Sequence, residues 1–355
     1  MSLKRSLFAV AVVGAALSVP AETPLKDVNA RTREEKVKLF TDREFGRRVV
    51  ERPDHLVFTE ASPAKEMLDG AAVRKQIRIT YGGEFGTNSF VVTAFLPKGR
   101  NPAPAFLLIN NRPDLKQADP DREVKKEFWP VEEIVARGYA AIMFHTWDVA
   151  PDWNSGCTEG VFACFEKKAS YRPANRWGTL SAWAWGASRV MDWIETESAV
   201  DRTKVAVVGH SRGGKTALWT AVTDTRFAYS CVNDSGCAGA KLNHMDLPES
   251  EHIANIVKNF PYWFCADYLD CVRRENELDF DQHELLSCVA PRLLAVGSGE
   301  DDKWAGPAGE RKATELAKGA WEDPSRVDYH IRPGGHGLKL VDWQAYMDHA
   351  AKHGW

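Results

Sequence analysis

Residues 204–219, KVAVVGHSRGGKTALW, constrain the fold more tightly than any other stretch of this chain. Residues 204–208 form a short apolar, β-branched run of the kind buried inside a sheet. Gly209-His210-Ser211-Arg212-Gly213 then satisfies G-x-S-x-G, whose glycines let a strand and a helix pack closely around a strained turn. Residues 215–224 follow with good helix formers and an apolar stripe. A strand that feeds a helix through such a turn asks for a parallel sheet with helices laid on it.

The rest of the chain keeps to that alternation. Residues 104–109, 139–144, 227–232 and 291–297 are apolar runs that read as buried parallel strands, and residues 327–332 lead into a last one. Residues 127–137 read as a crossover helix, 178–197 as a long amphipathic helix and 343–353 as a closing helix. Alternation within 74–96 around Gly82-Gly83 predicts a hairpin. A short helix is expected within 34–45, a polar, aromatic loop insertion over 148–172, and a strandless excursion over 238–288. The expected fold is a three-layer α/β sandwich with a mostly parallel, doubly wound sheet, carried by one catalytic domain over residues 22–355.

Residues 1–21 have the layout of a secretory signal peptide: Lys4 and Arg5, an apolar core over 7–17, then Val19-Pro20-Ala21. The apolar run is too short for a membrane span, so the protein is expected to be secreted or periplasmic. Export implies an oxidising compartment, in which the seven cysteines can form disulfides with at least one left over. Cys157 and Cys164 share one insertion and are candidates to staple it. No C-x-x-C pair occurs, and neither a metal nor another cofactor is expected. The net charge of -3 gives no electrostatic basis for a nucleic-acid partner.

In open α/β sheets, ligands bind outside the carboxyl ends of the strands. Ser211, Asp234, the pair Asp301 and Asp302, and His336 each follow an expected strand, in that order. Ser…Asp…His is the chain order of an α/β-hydrolase. A hydroxyl is a weak nucleophile near neutral pH and needs an imidazole to take its proton, and the imidazole needs a carboxylate to fix its tautomer. His336, in a late glycine-flanked loop, is the candidate base, whereas His210 and His145 are expected to pack beside the site. Two acids compete. Asp302 stands where the usual fold places the acid, Asp234 follows the strand before it, and Asp301 is a third choice. The backbone N–H of Arg212, the residue after the serine, would meet the oxyanion, with its guanidinium near the developing charge. Lys215, one turn on, is expected to face the same pocket. Two cations beside a nucleophile favour an acidic or polyhydroxylated substrate over a lipid.

GHSRGGK, WAWGASRVMDW, NDSGCAGA, FPYWFC, GEDDKWAGP and GGHG occur in an arrangement that resembles the bacterial glucuronoyl esterases of carbohydrate esterase family 15. The resemblance spans residues 33 to the C-terminus and implies a metal-free serine esterase of the α/β-hydrolase fold. Its substrate would be the ester between (4-O-methyl-)glucuronic acid of glucuronoxylan and lignin alcohols. It implies Ser211 as nucleophile, His336 as base, Arg212 as oxyanion stabiliser and Lys215 as a ligand of sugar hydroxyls. Asp302 matches the acid of many bacterial members, and Asp234 stands where fungal members carry a glutamate. Glu249 and Trp304 resemble residues that contact the uronic acid ring. The chain departs from the family at residues 241–245, KLNHM, and at Asn110-Asn111-Arg112-Pro113, both on the expected pocket rim. An acetyl-xylan or other carbohydrate esterase is the alternative enzyme. A catalytically dead binding protein with tryptophan sugar platforms is opposed by the intact serine, histidine and acids. A monomer is expected.

Overall fold

In the computed structural model, which describes residues 24–112, 114–154, 156–167 and 173–355, nine strands form one sheet. The strands are β1 His55–Met67, β2 Ala72–Gly83, β3 Gly86–Pro97, β4 Ala103–Asn110, β5 Ala140–His145, β6 Val200–His210, β7 Tyr229–Asn233, β8 Leu293–Gly299 and β9 Val327–Arg332. Their order is β1-β2-β3-β5-β4-β6-β7-β8-β9. The first three run antiparallel, and β3 also meets β5 antiparallel. From β5 to β9 every neighbour is parallel. The chain reverses its winding about β4, which has β5 on one side and β6 on the other, and such a reversal opens a crevice at the strand ends. The signal peptide expected at 1–21 lies outside the described residues.

Period-two alternation builds the three layers. Ala105, Leu107 and Ile109 of β4 join one core, while Phe106 and Leu108 join the other. The first core also takes the helices Thr179–Ile194 and Arg212–Thr223, and the second takes Val131–Ala136 and Leu340–Lys352. The expected hairpin is β2–β3, and residues 34–45 form the helix Arg33–Phe40 followed by a wide turn, Thr41–Phe45.

Three expectations need correction. β1 has no counterpart in the sequence analysis, because this edge strand is largely exposed and lacks an apolar alternation. The helix Thr179–Ile194 has the expected apolar stripe but no exposed side: it is buried along all of its length, with Thr146–Val149 and the turn Pro261–Trp263 packed on it. Cys164, Cys231, Cys237, Cys265, Cys271 and Cys288 are free and buried. Cys164 points its thiol at the carbonyl of Gly160 (3.6 Å) inside the first core, so it makes no staple. Among the described residues no helix is long and apolar enough to cross a membrane.

The elbow is the tightest point of the fold. A Cβ added to Gly209 would stand 1.9 Å from the carbonyl oxygen of Gly213. Gly209→Ala is therefore expected to destabilise the protein by about 3 kcal/mol, the upper part of the range for forced overpacking, in chemical denaturation. An unchanged midpoint would contradict this packing.

Candidate active site

Ser211 sits between β6 and the helix Arg212–Thr223 with φ 58° and ψ -128°, a conformation that L-residues avoid. Such strain costs about 1–3 kcal/mol and persists only where the surroundings over-determine it. Here the Ser211 N–H donates to the Asn233 carbonyl at the end of β7 (2.9 Å), and Gly209 packs under the first turn of the helix. The side chain stands half-buried at the carboxyl edge of the sheet. The Arg212 N–H opens the helix, where no intrahelical acceptor exists for it.

β7, β8 and β9 bring their acids and the imidazole to the same edge. His336 Nδ1 lies 2.6 Å from Asp302 Oδ2, leaving Nε2 as the ring's free nitrogen among the described contacts. Burial works against the charged Asp302, but the hydrogen bond and charge of His336, the Ala305 N–H and Arg332 outweigh it and hold its pKa below the ordinary value. Asp234 is more deeply placed. It accepts from the Gly299 N–H (2.6 Å), the Gly337 N–H (3.1 Å) and Arg332 Nη2 (3.0 Å). Burial first, then the Glu310 carboxylate, push its pKa up to about 7, against the pull of those donors. Glu310 itself fixes the turn after β7 by accepting from the N–H groups of Ser235 and Gly236 (each 2.8 Å) and the Ser235 hydroxyl (2.9 Å).

Arg332 ties the histidine loop down. Besides Asp234 it bonds Asp342 (2.9 Å), the Gly335 carbonyl (3.0 Å) and the Gly337 carbonyl. Asp234, Asp302 and His336 have donor atoms within 4.8 Å of one another, as a metal cradle would. The Arg332 guanidinium already on Asp234 opposes a further cation there. His210 is fully buried, bonds Asn233 Oδ1 (2.6 Å) and packs 4.4 Å from the His336 ring. Burial, then the charges of His336 and Arg112, drive its pKa well below the ordinary value, so it is a neutral packing partner. His145 bonds the Arg112 carbonyl (2.5 Å).

The Arg212 side chain is held from the insertion that follows β5. Its Nε lies 2.8 Å from Asp152 Oδ2, an ion pair rather than a well-aligned hydrogen bond, and its guanidinium lies 5.7 Å from the centre of the Trp263 ring. The other oxygen of Asp152 accepts from Trp263 Nε1 (2.7 Å) and the Tyr262 hydroxyl (3.0 Å). Lys215 is buried rather than facing an open pocket, with its ammonium on the Ser235 carbonyl and 3.8 Å from Glu251. The Glu251 N–H donates to the Trp304 carbonyl (2.8 Å), and the Trp304 side chain is half exposed.

This arrangement can be set beside known proteins. A sequence profile for fungal glucuronyl esterases matches residues 77–323. A carbohydrate esterase, MZ0003, from an unknown prokaryotic organism is 32% identical over 93% of this chain and 86% of its own length. The chain belongs to the glucuronoyl esterases of carbohydrate esterase family 15. A 4-O-methyl-glucuronoyl methylesterase of Podospora anserina is 30% identical over 55% of this chain and 41% of its own length. The solved glucuronoyl esterase of Solibacter usitatus superposes with a TM-score of 0.83 at 29% identity, covering 92% of this chain and 93% of that one. A promiscuous esterase of the same family, from a marine bacterial metagenome, gives 0.80 at 30% identity over 95% and 98%. The fold is that of the α/β-hydrolases.

Within this glucuronoyl esterase family member, the acid next to Lys215 and Trp304 is Glu251. Glu249, expected to contact the uronic acid ring, is exposed two residues earlier. Pro248-Glu249-Ser250-Glu251 has two acids in an irregular loop, so no periodicity told them apart. Asp152, Arg332 and Glu310 were missed because their partners lie far away in sequence; FPYWFC was the one visible signal, through Tyr262 and Trp263. Of the two acids, Asp302 is the one hydrogen-bonded to His336 among the described residues. Asp302→Asn is therefore expected to lower kcat for ester hydrolysis by about 10³–10⁴-fold. Asp234→Asn is expected to lower kcat less but to reduce the melting temperature more, because it loosens Arg332 and the turn of the His336 loop. The opposite order of kcat losses would contradict this reading of the two acids.

Proposed function

We propose that this protein is a serine esterase that cleaves esters of glucuronic acid, with Ser211 as nucleophile, His336 as base and Asp302 as the acid behind it. The observation that carries the reading is the strained serine at the end of β6, held at the same sheet edge as the 2.6 Å His336–Asp302 pair, in a chain of this family.

His336 takes the proton of the Ser211 hydroxyl as its oxygen adds to the ester carbonyl. The imidazolium that forms is steadied by Asp302, which burial and hydrogen bonding keep oriented toward Nδ1. The oxyanion is met by the Arg212 N–H and the Arg212 guanidinium, which the Asp152 carboxylate and the Trp263 face hold in place before the reaction begins. His336 then returns its proton to the alcohol oxygen as the carbon–oxygen bond breaks. Water, deprotonated by the same imidazole, attacks the acyl-serine and releases the free uronic acid and Ser211.

The substrate we propose is the ester between (4-O-methyl-)glucuronic acid of glucuronoxylan and an alcohol of lignin. Trp304, half exposed beside the Lys215–Glu251 pair, offers an indole face to a sugar ring. We propose that residues 1–21 serve as a leader that takes the enzyme out of the cytoplasm to a polysaccharide substrate outside the cell. A second reading, hydrolysis of acetylated carbohydrate, gains from the structural similarity to the promiscuous marine esterase.

Wild-type protein is expected to hydrolyse a methyl or benzyl glucuronate ester with a kcat/KM well above its rate on acetylated xylan. Ser211→Ala is expected to lower kcat by about 10⁶-fold with an unchanged circular-dichroism spectrum. A faster reaction on acetylated xylan would favour the second reading, and substantial hydrolysis by Ser211→Ala would refute the nucleophile.

A further inference from the structure

A cavity of about 630 Å³ opens beside His336, within the size range of small-molecule sites. Its lining includes neither Lys215, Glu251 nor Trp304, so it is separate from the cluster proposed for the uronic acid. Position relative to His336 decides what it can hold. In acyl transfer the imidazole hands its proton to the departing oxygen, so the alcohol lies on the imidazole's side of the carbonyl, while the carbonyl oxygen points toward the oxyanion donors. A cavity bounded by His336, and by no member of the uronic acid cluster, is placed for the alcohol.

The charges of its wall are unbalanced. Arg112, Lys125, Lys126 and Lys339 face two acids, Asp114 and Glu127. Lys125 pairs with Glu132 at 3.6 Å and Lys339 with Glu127 at 3.5 Å. Among the described residues, Arg112 and Lys126 make no ion pair within 4.0 Å. Arg112 is half-buried with its guanidinium 5.1 Å from the centre of the Phe128 ring. Burial and then the neighbouring Arg212 charge lower its pKa, and no carboxylate offsets them. A desolvated guanidinium without a counter-charge is unfavourable until an anion reaches it. Its planar fork suits a carboxylate held by two parallel hydrogen bonds. Arg112 also belongs to Asn110-Asn111-Arg112-Pro113, one of the two places where the sequence departs from its family.

We propose that this cavity is the subsite for the alcohol half of the ester and that it selects an alcohol carrying a carboxylate, bound by Arg112 with Lys126 nearby. The inference rests on the reading of Ser211 and His336 given above. The enzyme then distinguishes its substrates on both sides of the scissile bond: a uronoyl acyl group on one, an acidic alcohol on the other.

The test uses three glucuronate esters: of 4-carboxybenzyl alcohol, of its neutral isostere 4-carbamoylbenzyl alcohol, and of methanol. At low ionic strength the wild-type kcat/KM for the carboxybenzyl ester is expected to exceed that for the carbamoylbenzyl ester by about tenfold, the yield of one charge-assisted contact. High salt brings the ratio toward one. Arg112→Gln removes the preference. Asp114→Asn, which takes a negative charge from the same wall, increases it, a gain that damaged folding would not produce. Hydrolysis of the methyl ester with equal rates on the two benzyl esters, or a preference that survives Arg112→Gln, overturns the subsite alone. Failure to hydrolyse any of the three esters overturns the reading of Ser211 and His336, and the subsite with it.

Discussion

The close approach of Gly209 to the Gly213 carbonyl is the contact on which the rest of the structure depends. It brings β6 and the helix Arg212–Thr223 together with almost no space between backbones, and the residue linking them must take a positive φ. A serine in that place is lifted out of the sheet and presented at its carboxyl edge. The strain is held by contacts on every side: the Asn233 carbonyl under the serine N–H, and the buried helix Thr179–Ile194 packed against the elbow helix. Folding energy from two large cores thus sustains one locally unfavourable residue.

Around that edge the protein arranges charge before any ligand arrives. Arg332 joins Asp234, Asp342 and two carbonyls of the His336 loop, so the imidazole is carried on a loop that has lost most of its freedom. Asp152 restrains Arg212 in the same way, and is itself restrained by Tyr262 and Trp263. Groups fixed in this manner need little reorganisation when charge develops beside them, which is the main source of electrostatic catalysis. Asp234 is close enough to His336 to compete for it, yet the two N–H groups and the guanidinium it accepts from commit it to holding the frame.

What could be read from the sequence was whatever has a local cause. β4, β5, β7, β8 and residues 205–208 of β6 read as apolar runs because both faces are covered, and Gly209 flags the turn because a Cβ there would collide with the backbone of Gly213. His336 was visible for a similar reason, in a glycine-flanked loop after the last strand. The exposed edge strand β1 lacks such a signature, and the helix Thr179–Ile194 has an apolar stripe whose other side is buried by remote segments. Glu251 and Asp152 act through contacts 36 and 60 residues away, Glu251 with Lys215 and Asp152 with Arg212, which no local pattern records. The expected disulfide failed on the same ground: Cys164 turns into an apolar core that the spacing of cysteines does not describe.

The account rests on Ser211 being a hydroxyl activated by its surroundings rather than a residue that merely fills a sharp turn. A fluorophosphonate that reacts only with activated serines tests this most directly, with the modified peptide located by mass spectrometry. The account predicts a single adduct on Ser211, formed much more slowly in the Asp302→Asn protein. Intact, unlabelled Ser211 in folded wild-type protein would contradict it.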